Sequence, residues 1–258
     1  FLLQNNYRKR SHITSFFESL TTLLLEQTKY NLIIFPSFTF DFGSSHIFNT
    51  LTSIPSVNSF SSYLFKIQYP YRSLHPFYSF YCFGTHAKEF CKNNLYDSVG
   101  NNSIFSYLNS SNFTLLCIGH HYAKALSNIH QIEFELGCSY RELRHIPGSL
   151  ISESLAINDS TFTFYSRIIE LCDFSGLTEL GVQKLYISGI STSYKYICDN
   201  QKYGYYYLDL NKFTSYIFDN HTSEAPLVAS HHQLLPPPVS MPFMPHISNK
   251  SYSELLLP

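Results

Sequence analysis

The run LLCIGHHYAKALSNIHQIEFELG, residues 115–137, decides the fold class. Its opening Leu115-Leu116-Cys117-Ile118 is an apolar stretch closed by Gly119, with the length and flank of a buried strand. From 122 to 136 the apolar positions Leu126, Ile129, Ile132 and Leu136 recur at helical spacing, and Gly137 supplies the stop. A strand that passes through a loop into a helix is the α/β unit, in which ligands lie beyond the carboxyl end of the strand.

Upstream, residues 13–28 predict a first helix with Phe16, Leu20, Leu23 and Leu24 on one face. Leu32-Ile33-Ile34-Phe35, closed by Pro36, reads as a buried strand. Residues 41–70, rich in Ser, Asn and Phe, read as a long irregular stretch, and loops of that length usually carry function. Residues 76–83 predict a strand and Phe105 to Leu108 a short helix. Downstream, 165–172 reads as helix, 185–190 as strand, and 192–217 as a tyrosine-rich segment. The last stretch changes character: Pro236-Pro237-Pro238, Pro242 and Pro245 favour an extended arm. The expected architecture is a single α/β domain over 1–229, a mixed central sheet flanked by helices, followed by a Pro-rich C-terminal arm over 230–258.

Composition removes several functions. With 17 Lys+Arg against 18 Asp+Glu, the chain lacks the positive field that draws a protein onto nucleic acid. No stretch of ~18 consecutive apolar residues offers a membrane span. Arg8, Lys9 and Arg10 follow the apolar start, the reverse of a signal peptide. The six cysteines, Cys82, Cys91, Cys117, Cys138, Cys172 and Cys198, form no C-x-x-C and read as reduced core thiols, which points to the cytoplasm. His75, Cys82, His86 and Cys91 fit no familiar zinc spacing, so no metal is expected. The 23 Phe and 21 Tyr beside no Trp are set down to coding bias. The sequence holds no P-loop, GxGxxG, GxSxG or HExxH.

Two constellations carry chemistry. Ser127, His130 and Glu133 recur every three residues, so on a helix a carboxylate can hold the imidazole and a hydroxyl can sit beside it. That makes a general base, although the same spacing also fits a surface histidine. Arg72-Ser73-Leu74-His75-Pro76 offers a cation, a hydroxyl and an imidazole ahead of a strand, fit for a phosphate or an amide. It fits a plain turn into the strand as well.

Together these segments resemble the aminoglycoside 3-N-acetyltransferase family, which uses acetyl-CoA. RSLHPFYSFYCFGTHA, from Arg72, resembles that family's R-S-x-H-P-x-x-S segment. Leu32 to Thr39 is similar to its strand ending in Pro-Thr-x-Thr, with Ser37 in place of the first Thr. Ser127 to Glu133 resembles its T-x-x-H-x-x-E helix, and Tyr140-Arg141 the Tyr-Arg that follows. The family's strand and small-residue loop ahead of the first helix are absent from the opening FLLQNNYRKRSH or cut off before it, and the Pro-rich arm matches no segment of the family.

The resemblance implies transfer of an acetyl group from acetyl-CoA to a primary amine of an amino sugar or sugar nucleotide. It implies His130 as base, Glu133 as its orienter and Ser127 beside them, with Arg72, Ser73, His75, Ser37 and Thr39 along the coenzyme. The implied partner is a small-molecule amine, and the arm is a candidate contact in a homo-oligomer. Two alternatives stand open beside it. One is a non-catalytic carbohydrate or protein interaction module whose contact surface is the tyrosine-rich 194–207 segment and the Pro-rich arm; the other, resting on the resemblance, is an acyltransferase-like chain that has kept the fold and lost its coenzyme.

Overall fold

The computed structural model describes residues 10–26, 31–92, 97–118, 122–168, 171, 176–198, 201–222 and 226–229. The mixed α/β class expected from 115–137 holds. The chain divides into two compact units, one formed by residues up to 106 with 143–166, the other by 107–142 with 167 onward. The arm over 230–258 and the opening residues lie outside the described residues, as do Gly119, Cys172 and the side chain of Cys198.

The first unit starts with α1 (Arg10–Glu26), β1 (Ile33–Pro36), α2 (Phe42–Ser45), β2 (Ile47–Asn49), α3 (Ser59–Lys66), β3 (Phe80–Phe83) and α4 (Ala87–Phe90). The chain leaves it in α5 (Ile104–Ser110). In α1 the buried stripe is Phe17, Thr21 and Leu24, while Phe16 and Leu23 face solvent, so the expected face is turned by about one position. Thr21 tolerates burial because its hydroxyl donates to the Phe17 carbonyl at 2.8 Å. Phe17 and Leu24 pack with Phe60, Leu64, Tyr69, Tyr81 and Phe83.

Residues 41–70, read as irregular, instead contain α2, β2 and α3. Asn58 caps α3, accepting the Ser61 N–H at 2.8 Å, so a segment rich in Ser and Asn supplies its own helix start. β1 pairs antiparallel with β3, from Ile33↔Phe83 to Pro36↔Phe80. A second interior forms around Phe38, Phe42, Phe77, Tyr78, Phe105 and Phe162, with edge-on ring contacts such as Phe42–Phe162 at 5.4 Å. The phenylalanine excess is therefore core material in this unit.

The second unit holds β4 (Thr114–Ile118), a 3₁₀ turn (Tyr122–Lys124) and α6 (Ile129–Glu135). β5 (Arg141–Ile151) starts here and carries the chain back to the first unit, where it pairs parallel with β2 and neighbours β6 (Ala156–Arg167). α7 (Glu179–Ile187), β7 (Ser191–Cys198), β8 (Gln201–Asp209) and α8 (Leu210–Asn220) complete the second unit.

Three strand and helix expectations change. Residues 165–167 belong to β6, not to a helix. The stretch read as strand at 185–190 holds the end of α7, a helix started by Thr178, whose hydroxyl accepts the Gly181 N–H at 3.0 Å. The strand at 114–118 is an edge, in the order β4-β8-β7, and Leu116 is 47% exposed. The tyrosine-rich segment builds the antiparallel pair β7–β8, with β8 also pairing β4 from Thr114↔Asp209 to Ile118↔Tyr205.

Candidate active site

In the second unit the polar chemistry converges on one carboxylate. The helix expected over 122–136 is broken: the 3₁₀ turn covers 122–124, and α6 starts only at Ile129. Ser127 therefore precedes the helix and contributes its carbonyl, which accepts the His130 N–H at 3.2 Å. His130 and Glu133 sit in α6, and Ile129 and Ile132 bury its apolar side.

Gly137, with φ 68°, ends the helix as the sequence predicted. The Cys138 N–H reaches back to the Glu133 carbonyl at 3.0 Å and the Gly137 N–H to the Phe134 carbonyl at 3.0 Å. This reversal returns the chain so that Tyr140 and Arg141 meet the carboxylate.

Glu133 is 0% exposed and both oxygens are occupied. Oε1 accepts the Tyr140 hydroxyl at 2.6 Å and the Gly176 N–H at 2.8 Å. Oε2 is 2.9 Å from His130 Nδ1 and 2.6 Å from Arg141 Nε. Burial by itself would raise the acid's pKa, but the bond from His130 and the charge of Arg141, with the Tyr140 hydroxyl, outweigh it and hold Glu133 below the usual carboxylate range. Burial is also the main influence on His130, and together with Arg141 it lowers the imidazole's pKa despite the pull of Glu133. The pair is thus a neutral imidazole on a charged carboxylate. Donating Nδ1–H to Oε2 fixes the tautomer that leaves the lone pair on Nε2. The His130 side chain is 21% exposed, so the imidazole reaches the surface while its anchor does not.

In the first unit the predicted residues also come together, around a buried cation. Arg72 is 2% exposed. Its Nε points at the hydroxyls of Ser37 and Ser79, at 3.2 and 3.3 Å. Nη2 donates to the Ser37 carbonyl at 2.7 Å and the Thr39 hydroxyl at 2.6 Å, and Nη1 to the Ser53 carbonyl. The guanidinium lies over the rings of Phe48 and Tyr81, 5.0 and 5.4 Å from their centroids. No carboxylate pairs with it among the described residues, and burial lowers its pKa to about 10.

Ser73 accepts the Phe80 N–H at 2.9 Å, tying the motif to β3. His75 Nδ1 accepts the Phe77 and Tyr78 N–H groups, each at 3.1 Å. Its proton therefore sits on Nε2, which is buried without a hydrogen-bond partner among the described residues. Burial pushes His75 down to about 3, so it stays neutral. Among the described residues no His, Cys, Asp and Glu cluster could hold a metal, and no helix is long and apolar enough to cross a membrane.

Sequence reasoning met Tyr140 and Arg141 only through the family likeness and missed Gly176 and Ser53. Gly176 and Ser53 act through backbone atoms, which leave no residue-type signal. The positive φ of 96° at Gly176 is the one trace, since that conformation favours glycine.

The family described as aminoglycoside 3-N-acetyltransferase matches residues 45–162, which include Arg72, Ser73, His75 and Ser127 to Arg141 but not Ser37 or Thr39. No curated protein sequence matches the chain. Among solved structures, AAC-VIa in a room-temperature neutron/X-ray structure with bound sisomicin is similar at TM-score 0.55 and 14% identity, over 78% of this chain and 82% of that one. The YokD protein from Bacillus subtilis is similar at TM-score 0.52 and 17% identity, over 78% and 79%. The chain thus resembles the aminoglycoside 3-N-acetyltransferases in sequence pattern over 45–162 and shares its fold with AAC-VIa and YokD.

Proposed function

We propose that this protein is an acetyl-CoA-dependent N-acetyltransferase acting on a primary amine of an aminoglycoside or related amino sugar. The observation that carries the reading is the 2.9 Å contact between His130 Nδ1 and a fully buried, fully partnered Glu133 carboxylate. In this reading His130 Nε2 takes the proton that the amine sheds as it attacks the thioester carbonyl. The C–N bond forms, the C–S bond breaks, and His130 returns the proton to the departing thiolate. Glu133 keeps the imidazole in the correct tautomer and steadies the imidazolium, as a buried carboxylate does in a catalytic triad. Ser127 Oγ is proposed as a hydrogen-bond donor to the oxyanion that develops on the carbonyl.

For the coenzyme side, the inward bonds of Arg72 to Ser37, Thr39 and Ser79 support a framing role in which these residues fix the segment that receives it. The buried positive charge, unmatched by a carboxylate among the described residues, favours an anionic ligand nearby. Ser73 ties the segment to β3, and His75 keeps a buried Nε2–H to offer to an amide carbonyl of the coenzyme. The match over 45–162 and the sisomicin-bound relative support an aminoglycoside-like acceptor. The reading places the enzyme in the cytoplasm, where thiols such as Cys82 and Cys117 stay reduced.

The test is titration with acetyl-CoA followed by melting temperature, then thiol release with sisomicin and a panel of amino sugars. Coenzyme at a hundredfold excess over Kd should add ~2.7 kcal/mol of stability. No thermal shift at millimolar acetyl-CoA, with no thiol release on any amine, overturns the reading.

A further inference from the structure

We propose that His221 is a positioning residue for the Glu133 carboxylate, acting through the strap Pro226–Ala229 and the Gly176 peptide. The inference rests on the reading of His130 and Glu133 as base and orienter. Of the groups on Glu133, Gly176 is the one that reaches it by backbone alone, its N–H donating to Oε1 at 2.8 Å. Where that peptide lies is decided by what holds the residues beside it.

The strap holds them. The Ala229 N–H donates to the Gly176 carbonyl at 2.9 Å, and Leu177 and Val228 form an antiparallel bridge. The Thr178 N–H donates to the Leu227 carbonyl at 3.0 Å, and the Thr178 hydroxyl to the Pro226 carbonyl at 2.8 Å. The strap is held in turn by His221 at the end of α8. Its Nδ1 accepts the N–H groups of both Leu227 and Val228, each at 3.2 Å. An imidazole can accept there only with its proton on Nε2. α7 lies close against the same strap: a Cβ on Gly181 would come within 2.2 Å of the Leu227 carbonyl oxygen.

Removing the His221 acceptor leaves two adjacent peptide N–H groups without their partner and lets the strap shift, carrying Gly176 away from Oε1. A carboxylate that loses one donor concentrates its charge on those that remain, and here that strengthens its hold on a protonated His130.

The measurement is an NMR titration of the His130 imidazole, assigned with His130→Gln, in the full chain without ligands. His221→Ala should raise the His130 midpoint by ~0.5 pH unit. His221→Asn, which offers an acceptor oxygen near the Nδ1 position, should bring it back toward the parent value. Gly181→Ala favours the helix but drives a methyl into the strap, and it should raise the midpoint without touching His221. It carries the test if His221→Ala fails to fold. A His130 midpoint unmoved by Gly181→Ala and by His221→Ala overturns the proposal, and so does an equal shift in His221→Ala and His221→Asn. The titration needs no turnover, so a chain that proved unable to transfer acetyl would still show or lack this coupling.

Discussion

Two charged residues buried in the fold, Glu133 and Arg72, are handled in opposite ways. Glu133 is surrounded by a cation, an imidazole, a phenol and a peptide N–H, and one of those partners, His130, extends to the surface. Arg72 is surrounded by hydroxyls, carbonyls and ring faces, with no opposite charge among the described residues, and its partners are themselves mostly buried. A carboxylate saturated from inside makes a neighbouring base precise and leaves that base accessible. A guanidinium saturated from inside makes a rigid frame. The first arrangement suits chemistry and the second suits shape.

Substitutions can break or sharpen that contrast, and the largest effect belongs to the base. His130→Ala should lower kcat by ~10²- to 10⁴-fold, a barrier cost of ~3 to 5.5 kcal/mol, with coenzyme affinity nearly unchanged. Unchanged turnover would return α6 to ordinary structure.

Next comes Arg72→Ala, which leaves Ser37, Thr39 and Ser79 facing a cavity. It should cost ~2 to 4 kcal/mol of stability without any ligand, read by denaturant unfolding. If stability held while acetyl-CoA binding vanished, Arg72 would contact the coenzyme directly and the contrast would fail.

Smaller again is the pH dependence. His75 titrates near 3 in the fold against about 6.5 when unfolded, so the unfolded chain binds more protons below ~6.5. His75 should therefore cost up to ~1.4 kcal/mol of stability per pH unit as pH falls from ~6.5 toward ~3. The lowered values of His130 and Glu133 act in the same direction, so the acid slope of His75→Asn, followed by unfolding between pH 4 and 7, should be shallower but not flat. A slope equal to the parent's would mean that His75 is not held neutral.

The smallest effect is expected at Ser127. Ser127→Ala should lower kcat by ~10-fold, less than the ~10²- to 10³-fold that a fully aimed oxyanion donor is worth, because Ser127 lies outside the helix that holds the base. A loss of ~10³-fold in kcat would put Ser127 at the centre of the chemistry.

The sequence by itself determined what neighbours in the chain determine. The His130 and Glu133 spacing of three residues places both on one helix face, and Gly137 stops that helix because a left-handed residue is needed there. The α/β class followed from one apolar run and one helical period. Readings failed where local composition and long-range packing disagreed. The β-prone Leu185 to Ile190 stretch holds the end of α7 because Thr178 starts a helix ahead of it and Val182 and Leu185 are buried. In α1, tertiary packing chose Phe17 over Phe16. What only the tertiary structure decided is how the distant partners of each buried charge are brought to it. Gly176 lies 43 residues from Glu133 in the chain, and Ser37 lies 35 residues from Arg72. A buried ion takes whichever donors or acceptors the fold brings within ~3 Å, backbone groups included, because leaving it unpaired in a low-dielectric interior costs several kcal/mol. The backbone groups among them carry no residue-type signature, so no spacing in the sequence announces them.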